Sequence, residues 1–172
     1  MKTEISTDNI KLQIVEKSDS KKIFELRTNP EVAKFINRDL KKNLSEIETF
    51  IENINSDFNS AMFFKINLLE ENEIAGTICL WRINRENKYA EVGFELFPEY
   101  QKKGIMSSAL KAILNFANKE FGIEYLEACT HKENLNSQKL LEKFGFEKIN
   151  GKTDDKNPNN LIFGKNIKKA SI

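Results

Sequence analysis

The pattern of hydrophobic and polar residues predicts how the first third of the chain folds. Residues 10–17, IKLQIVEK, alternate between apolar and polar as a strand does. Residues 18–32 begin with capping residues and run into Asn29-Pro30, which predicts a short helix that stops there. Ser45 and Glu48 have the spacing of a capping box, which predicts a second helix with an apolar stripe of Ile47, Phe50, Ile51 and Ile54.

The middle of the chain predicts three strands in an antiparallel meander. They occupy residues 61–69, 73–83 and 88–97, and the polar turns between them are too short to join parallel neighbours. From Gly104 the apolar residues recur with helical spacing to about Lys119. The remaining predicted elements are a strand at 123–130, a helix at 136–144, and a closing hairpin of 146–149 and 161–167 around the loop 150–160.

A crossover connection links two of these strands. Between Ala90 and Thr130 the order is strand, helix, strand, so the two strands are expected to be parallel. The sheet is therefore expected to be mixed and the fold class α+β. No repeat, linker or low-complexity tract divides the 172 residues, and this length suits one core, so a single domain over residues 1–172 is expected.

Composition narrows the function classes. Hydrophobic residues make up 40% of the chain, and no apolar run approaches the roughly 20 residues of a membrane span. The first twenty residues lack the apolar core of a secretion signal, so the cytoplasm is the expected location. The net charge of +1 gives no basic field for direct nucleic-acid binding. Cys79 and Cys129 lie in apolar segments without metal-ligand spacing, so buried free thiols and no metal site are expected.

The stretch from Phe97 to Leu110 contains a candidate anion site. Gly104 falls where a strand turns into a helix, and a residue without a Cβ permits positive φ and close approach of a ligand. Unpaired N–H groups at a helix start suit a pyrophosphate. These groups belong to Lys103, Gly104, Ile105, Met106 and Ser107, and the Lys102 and Lys103 side chains add charge unless they point into solvent. By itself the glycine indicates only a helix start, because glycine in such turns is common.

Two motifs carry a resemblance to a known family. Residues 101–106, QKKGIM, match the pattern Q/R-x-x-G-x-G/A, and residues 134–146, NLNSQKLLEKFGF, match N-x-x-A/S-x-x-L-Y-x-K-x-G-F. The chain thereby resembles the GNAT superfamily of acyl-CoA-dependent N-acetyltransferases. Residues 88–150 are similar to its branch of Rim-type ribosomal-protein N-terminal acetyltransferases. Two positions depart from the patterns: Met106 replaces a small residue, and Leu141 stands where many members carry a tyrosine regarded as the general acid.

The resemblance implies a fold and a coenzyme site. The fold is a mixed, mostly antiparallel sheet of about seven strands with about four helices, whose central parallel strands splay apart to hold acetyl-CoA. The Met106 side chain is then expected to point into the core. Backbone N–H groups near Leu96 and Phe97 are expected to bind the thioester oxygen. The other implied coenzyme contacts are Gln101, Lys102, Lys103, Gly104, Ile105, Met106, Ser107, Asn134 and Ser137.

Direct acetyl transfer requires a neutral amine and a thiolate that can leave. An α-amine with a pKa near 7.7 to 8.0 costs only about 1 kcal/mol to deprotonate at pH 7, so a weakly placed base suffices. Glu91 is the first candidate base, because carboxylates at this strand position resemble those that relatives use, often through water. The alternatives are water, Glu95, Glu127, Asp154 and Asp155. Ser137 is the candidate acid, or else a helix cap like Asn134. His131, a lone histidine without a visible orienting partner, is given no role.

These residues predict an enzyme that moves the acetyl group of its co-substrate acetyl-CoA to a primary amine. The first expected acceptor is a protein or peptide N-terminal α-amine. A small-molecule amine, such as a polyamine, an aminoglycoside or an amino acid, is the alternative. A module that binds acyl-CoA without turnover is a third hypothesis, favoured only by Leu141 in place of the tyrosine. No direct nucleic-acid or membrane partner is expected, and the sequence leaves open whether the chain forms a homodimer.

Overall fold

An eight-stranded mixed sheet forms the centre of the computed structural model, which describes residues 3–71 and 73–168. The strands are β1 (Glu4–Ser6), β2 (Ile10–Ile14), β3 (Met62–Leu68), β4 (Ile74–Asn84), β5 (Tyr89–Leu96), β6 (Tyr125–His131), β7 (Glu147–Lys148) and β8 (Asn160–Asn166). Their order across the sheet is β1-β2-β3-β4-β5-β6-β8-β7, and only β5 and β6 pair in parallel among the described strands. The mixed sheet is confirmed. Residue 72 of the predicted turn, and residues 1–2 and 169–172 of the predicted domain, lie outside the described residues.

Five α-helices of the described residues accompany the sheet: α1 (Ser20–Thr28), α2 (Pro30–Ala33), α3 (Leu44–Asn55), α4 (Ile105–Phe121) and α5 (Leu135–Lys143). Short 3-10 helices occupy Lys17–Asp19 and Pro98–Tyr100. The predicted stop of the first helix is confirmed, because Asn29 is extended and its side chain caps the short α2 instead. The predicted capping box at Ser45 and Glu48 is wrong by two residues. Asn43 and Glu46 form the box, with Asn43 Oδ1 accepting the Glu46 N–H at 3.0 Å. No described helix has the length and apolar character needed to cross a membrane.

The helices cover opposite faces of the sheet. Neighbouring residues of a strand point to opposite sides, and β3 shows this with two phenylalanines. The Phe64 ring lies 5.5 Å from the ring of Phe116 on α4, whereas the Phe63 ring lies 5.5 Å from that of Phe50 on α3. The core on the α4 face is the larger one, and α1 and α3 close a smaller apolar cluster on the other face.

The parallel strands β5 and β6 separate soon after they meet. They pair only at three positions, the last of which joins Glu91 to Glu127. Beyond that point β5 continues beside β4 as far as Leu96, and β6 continues beside β8 as far as His131. A gap therefore opens in the middle of the sheet, as the splayed pair of the predicted fold requires.

Candidate active site

A cleft of about 690 Å³ opens where β5 and β6 diverge. One end lies at the starts of α4 and α5 and includes Gly104 and Asn134; we call it the helix-start end. The other end lies beside α1 and α3 and includes Arg27, Arg38 and Glu95; we call it the arginine end. The cleft thus passes through the gap in the sheet and joins two chemically different surroundings.

Gly104 at the helix-start end has a backbone conformation that favours glycine. Its φ is +79°, and that of Lys102 is +62°. A Cβ on Gly104 would meet no atom within 4 Å, so the backbone angle rather than space demands glycine. The first helical hydrogen bond is donated by the Ser108 N–H to the Gly104 carbonyl at 3.1 Å. The preceding N–H groups, those of Ile105, Met106 and Ser107, are left for an anion.

Most of the residues predicted to contact the coenzyme line the cleft. They are Leu96, Gln101, Lys102, Gly104, Ile105, Met106, Ser107, Asn134 and Ser137. Met106 is only 7% exposed and packs in the core with its α4 neighbours, which explains how a large side chain fits the motif. Lys103 does not line the cleft, and its ammonium lies 5.7 Å from the centre of the Tyr100 ring.

Backbone alternation along β5 decides which N–H groups face the gap. The Phe97 N–H donates to the Ala75 carbonyl at 3.0 Å, so it points toward β4. Hydrogen-bonding direction alternates along a strand, so the N–H groups of Phe94 and Leu96 point toward the gap. The Leu96 N–H therefore lies where a thioester donor was expected. The expectation for the Phe97 N–H is corrected, because Ala75 already accepts its hydrogen bond.

The two polar residues at the start of α5 have different structural roles. Asn134 caps the helix, since its Oδ1 accepts the Ser137 N–H at 3.2 Å. Ser137 is not the cap, and its hydroxyl has no hydrogen-bond partner among the residues described, although it lines the cleft. Leu141, at the position of the missing tyrosine, is fully buried. Ser137 is thus the hydroxyl of α5 that faces the cleft.

Glu91, the first candidate base, lies outside the cleft lining. Its Oε1 accepts from Arg82 Nη1 at 2.8 Å and lies 3.0 Å from the Tyr89 hydroxyl. The same hydroxyl lies 2.9 Å from Glu127, whose carboxylate also accepts from Lys152 Nζ at 2.6 Å. Glu127 is equally absent from the lining, and so is Asp155. The structure therefore gives Glu91 no direct path to an amine in the cleft.

Asp154 lines the cleft from the loop between β7 and β8. Burial acts to raise the pKa of its carboxyl, but hydrogen bonds from the Asn160 side chain at 2.8 Å and the Lys156 N–H at 2.9 Å lower the pKa overall. Asp154 is therefore charged at neutral pH and a weak base. The described residues contain no cluster of three or more His, Cys, Asp or Glu side chains able to hold a metal ion.

Cys129 and His131 enter the cleft from the end of β6. Cys79 is buried as predicted, but Cys129 is exposed, because the strands have already separated there. Partial burial and the charge of Glu91 still raise the pKa of the Cys129 thiol to about 11, so it stays protonated at neutral pH. His131 has the orienting partner that the sequence did not reveal, because its Nδ1 accepts the Glu133 N–H at 3.2 Å.

Glu95 lies at the arginine end, where Arg38 holds it with a fork of two hydrogen bonds. Arg38 Nη1 lies 2.8 Å from Glu95 Oε2 and 3.3 Å from the Arg27 carbonyl oxygen, so Arg38 fastens its loop to both β5 and α1. Arg27 Nη1 is 3.9 Å from Glu95 Oε1. Sequence reasoning did not find either arginine, because no motif surrounds them and each is far in sequence from Glu95.

Comparison with known proteins agrees with this geometry. Residues 9–147 match the model of the acetyltransferase (GNAT) domain family. The uncharacterized N-acetyltransferase p20 of Bacillus licheniformis is 29% identical over 144 residues, 83% of this chain and 81% of the relative. Solved structures share the fold, two acetyltransferases of Vibrio among them. Ribosomal-protein-S5-alanine acetyltransferase of Vibrio fischeri has a TM-score of 0.85 at 20% identity, with 98% of each chain covered.

The second structure is spermidine N-acetyltransferase of Vibrio cholerae in complex with CoA and spermine. Its TM-score is 0.80 at 17% identity, with 92% of this chain and 94% of that one covered. At these identities the two structures show the fold and leave the acceptor unassigned. The family match extends over most of the chain, including β5, the Gly104 turn and α5. The chain therefore belongs to the GNAT acetyltransferase family and is an N-acetyltransferase.

Proposed function

We propose that the protein transfers the acetyl group of acetyl-CoA directly to the N-terminal α-amine of a protein or peptide. The observation that carries this proposal is the cleft itself, which connects the free N–H groups at the start of α4 with the Leu96 N–H in the gap of the sheet. The first group suits a pyrophosphate and the second a thioester oxygen. One elongated coenzyme satisfies both.

Two parts of acetyl-CoA, the pyrophosphate and the pantetheine arm, have proposed contacts in the cleft. The pyrophosphate binds the N–H groups of the first turn of α4, with Lys102 at the rim. Gln101 Nε2 already donates to the Leu96 carbonyl at 3.2 Å, which holds the end of β5 beside the Gly104 turn. The pantetheine arm lies between β5 and β6, near Asn134. Holding the thioester there aligns it for attack, which supplies much of the rate in a direct transfer.

Two groups then serve the chemical step. The Leu96 N–H donates to the carbonyl oxygen as negative charge develops on it during attack by the amine. The Ser137 hydroxyl, which has no other partner among the described residues, passes a proton to the departing thiolate and recovers one from the nitrogen of the attacking amine, so the hydroxyl is restored at the end of the step. Because Glu91 lies outside the cleft, it acts on the amine only through water. An α-amine tolerates this arrangement, since its deprotonation at pH 7 costs only about 1 kcal/mol.

A polyamine is the alternative acceptor, since a spermidine N-acetyltransferase has the same fold. A polyamine needs several free carboxylates to hold its additional ammonium groups. In this cleft the Glu95 carboxylate is already bound by Arg38, and hydrogen bonds hold Asp154. Glu31 is the other carboxylate in the lining. The cleft therefore favours an acceptor with one amine over a polycation.

The test is acceptor-dependent release of free CoA thiol. Acetyl-CoA is incubated with the protein and with peptides, with spermidine, or with the same peptides carrying a blocked N-terminus. We expect release with the free peptides alone. Release with spermidine but not with peptides would overturn the peptide assignment. Binding of acetyl-CoA without release for any amine would instead identify a module that binds the coenzyme without turnover.

A further inference from the structure

Arg27 is the residue at the arginine end whose hydrogen-bonding capacity is unused. Its side chain is only 14% exposed, and its Nε is buried with no hydrogen-bond partner among the residues described. The guanidinium carbon lies 4.3 Å from the centre of the Phe50 ring, a cation–π contact. A guanidinium presents five donors, and a largely buried donor without a partner is costly. A ligand anion in the cleft can accept from the donors of Arg27 that face it.

The charges around Arg27 indicate what kind of oxygen is needed. Arg27 and Arg38 are both close to Glu95, so two positive charges face one negative charge. Arg38 takes both carboxylate oxygens of Glu95, while Arg27 approaches only to 3.9 Å. Burial and the charge of Arg38 lower the pKa of Arg27 to about 10, so it stays positive at neutral pH without a full partner. An anionic oxygen from a ligand would give Arg27 the full partner that it lacks.

Arg27 lies in the same cleft as the position proposed for the thioester, which the acceptor amine must approach. Glu95, its nearest carboxylate, directly precedes Leu96, whose N–H faces the thioester position proposed above. Arg27, Glu95 and Leu96 all line the same cleft. An amine that attacks a thioester beside Leu96 therefore enters the cleft that Arg27 also lines, where a second group of the acceptor can meet the guanidinium.

We propose that Arg27 binds a carboxylate that the acceptor carries close to its reacting amine. This inference rests on the proposed acetyl transfer and narrows its acceptor to an acidic one. A peptide with Asp or Glu as its second residue supplies such a carboxylate, and so does a free amino acid through its own α-carboxylate. Both present the planar, two-oxygen anion that matches a guanidinium. A polyamine presents the opposite charge and is disfavoured.

The experiment measures acceptor binding and turnover separately for matched pairs of compounds. The pairs are a Ser-Glu peptide against the Ser-Gln peptide, and free serine against serinamide. Binding is followed by calorimetry with CoA present, where no reaction takes place, and turnover by thiol release from acetyl-CoA. The proteins are the wild type, Arg27→Met and the control Arg85→Met. Arg85 also stacks on a phenylalanine, Phe121 at 4.6 Å, but it does not line the cleft.

We expect the wild type and Arg85→Met to prefer the acidic member of a pair by about 10- to 100-fold, the range for a charge-assisted hydrogen bond. In Arg27→Met this preference falls to about unity, while the affinity for acetyl-CoA is retained. A preference within the peptide pair identifies the side chain of the second residue as the source of the carboxylate. A preference within the serine pair identifies the α-carboxylate of a free amino acid. Equal binding of acid and amide by the wild type, or a preference that survives in Arg27→Met, overturns the inference. An acid preference in binding without any turnover contradicts the proposed function and leaves the Arg27 site standing.

Discussion

The two ends of the cleft offer a ligand different parts of the chain. At the helix-start end the donors are backbone N–H groups, and the one special requirement is a glycine with a φ of +79°. At the arginine end the groups are side chains, brought together from α1, a loop and β5. A site made of backbone N–H groups tolerates many different side chains at its positions. A site made of side chains is altered by the substitution of any one of them. Substitutions at the helix-start end should therefore change mainly ligand binding. Substitutions at the arginine end should change both ligand binding and the stability of the fold.

Glu95→Ala should cause the largest loss of stability. It removes the carboxylate between Arg27 and Arg38, each of which is less than one-sixth exposed. Breaking such a buried group costs about 3 kcal/mol of unfolding free energy, because the remaining charges stay buried without a partner. The measurement is urea unfolding. The control is Glu91→Ala on the same strand, where the Arg82 partner is 63% exposed and about 1 kcal/mol or less is expected. Equal losses would contradict the difference drawn between the two carboxylates.

Gly104→Val should weaken coenzyme binding by about 10-fold or more. A β-branched residue at positive φ is strained by roughly 1–2 kcal/mol, and relieving that strain moves the N–H groups of the anion site. Gly122→Val is a matched control, because Gly122 ends the same helix with a φ of +67° and has no atom within 4 Å of an added Cβ. Both variants should lose similar stability in thermal unfolding. Calorimetry should show a higher Kd for acetyl-CoA in Gly104→Val and an unchanged Kd in Gly122→Val.

The pH dependence of peptide acetylation should report the acceptor amine. Between pH 6 and 8 kcat/KM should rise by roughly 50-fold, as an α-amine with a pKa near 8 loses its proton. The shifted groups in the cleft keep one protonation state over this interval, since the pKa of Asp154 is lowered and those of Arg27 and Cys129 are about 10 and 11. His131→Gln should leave the profile in place. A profile that follows His131 would assign it the base that the cleft otherwise lacks.

Ser137→Ala should have the smallest effect, about a 10-fold lower kcat with an unchanged Kd for acetyl-CoA. The effect is modest because a thiolate whose parent thiol has a pKa near 8.5 leaves without complete protonation. Helix stability should also be unchanged, since Asn134 is the cap. Ser108→Ala on α4, which does not line the cleft, is the control in steady-state kinetics. An unaltered kcat for Ser137→Ala would remove the hydroxyl from the mechanism.

The helix-start end was largely predictable from the sequence because it depends on local features. Gly104 lies between a strand and a helix, and both elements follow from hydrophobic spacing within about thirty residues. The sequence permitted a positive φ at Gly104 and predicted the inward position of Met106, and both are observed. The direction of the Phe97 N–H was not predictable, because it depends on the hydrogen-bond register with β4.

The arginine end could not be predicted, because it depends on contacts between residues far apart in sequence. Arg38 and Glu95 are 57 positions apart and meet only after the segment following α2 folds against β5. Glu91 and Glu95 lie on one strand face of the sequence pattern, and Glu91 was the first candidate base with Glu95 as an alternative. Neighbours from other elements distinguish them: Glu91 pairs with an exposed arginine outside the cleft, and Glu95 pairs with two buried ones inside it.

The most direct test of the account is a backbone amide NMR titration of the protein with CoA. Coenzyme held by the N–H groups of the cleft should shift the amide signals of Ile105, Met106 and Ser107 and slow their hydrogen exchange. Acetyl-CoA should add an effect on the Leu96 amide, while the Phe97 amide, already bonded to Ala75, should keep its protection. Saturation with either ligand without changes at the start of α4 and at Leu96 would contradict the assignment of this cleft as the acetyl-CoA site.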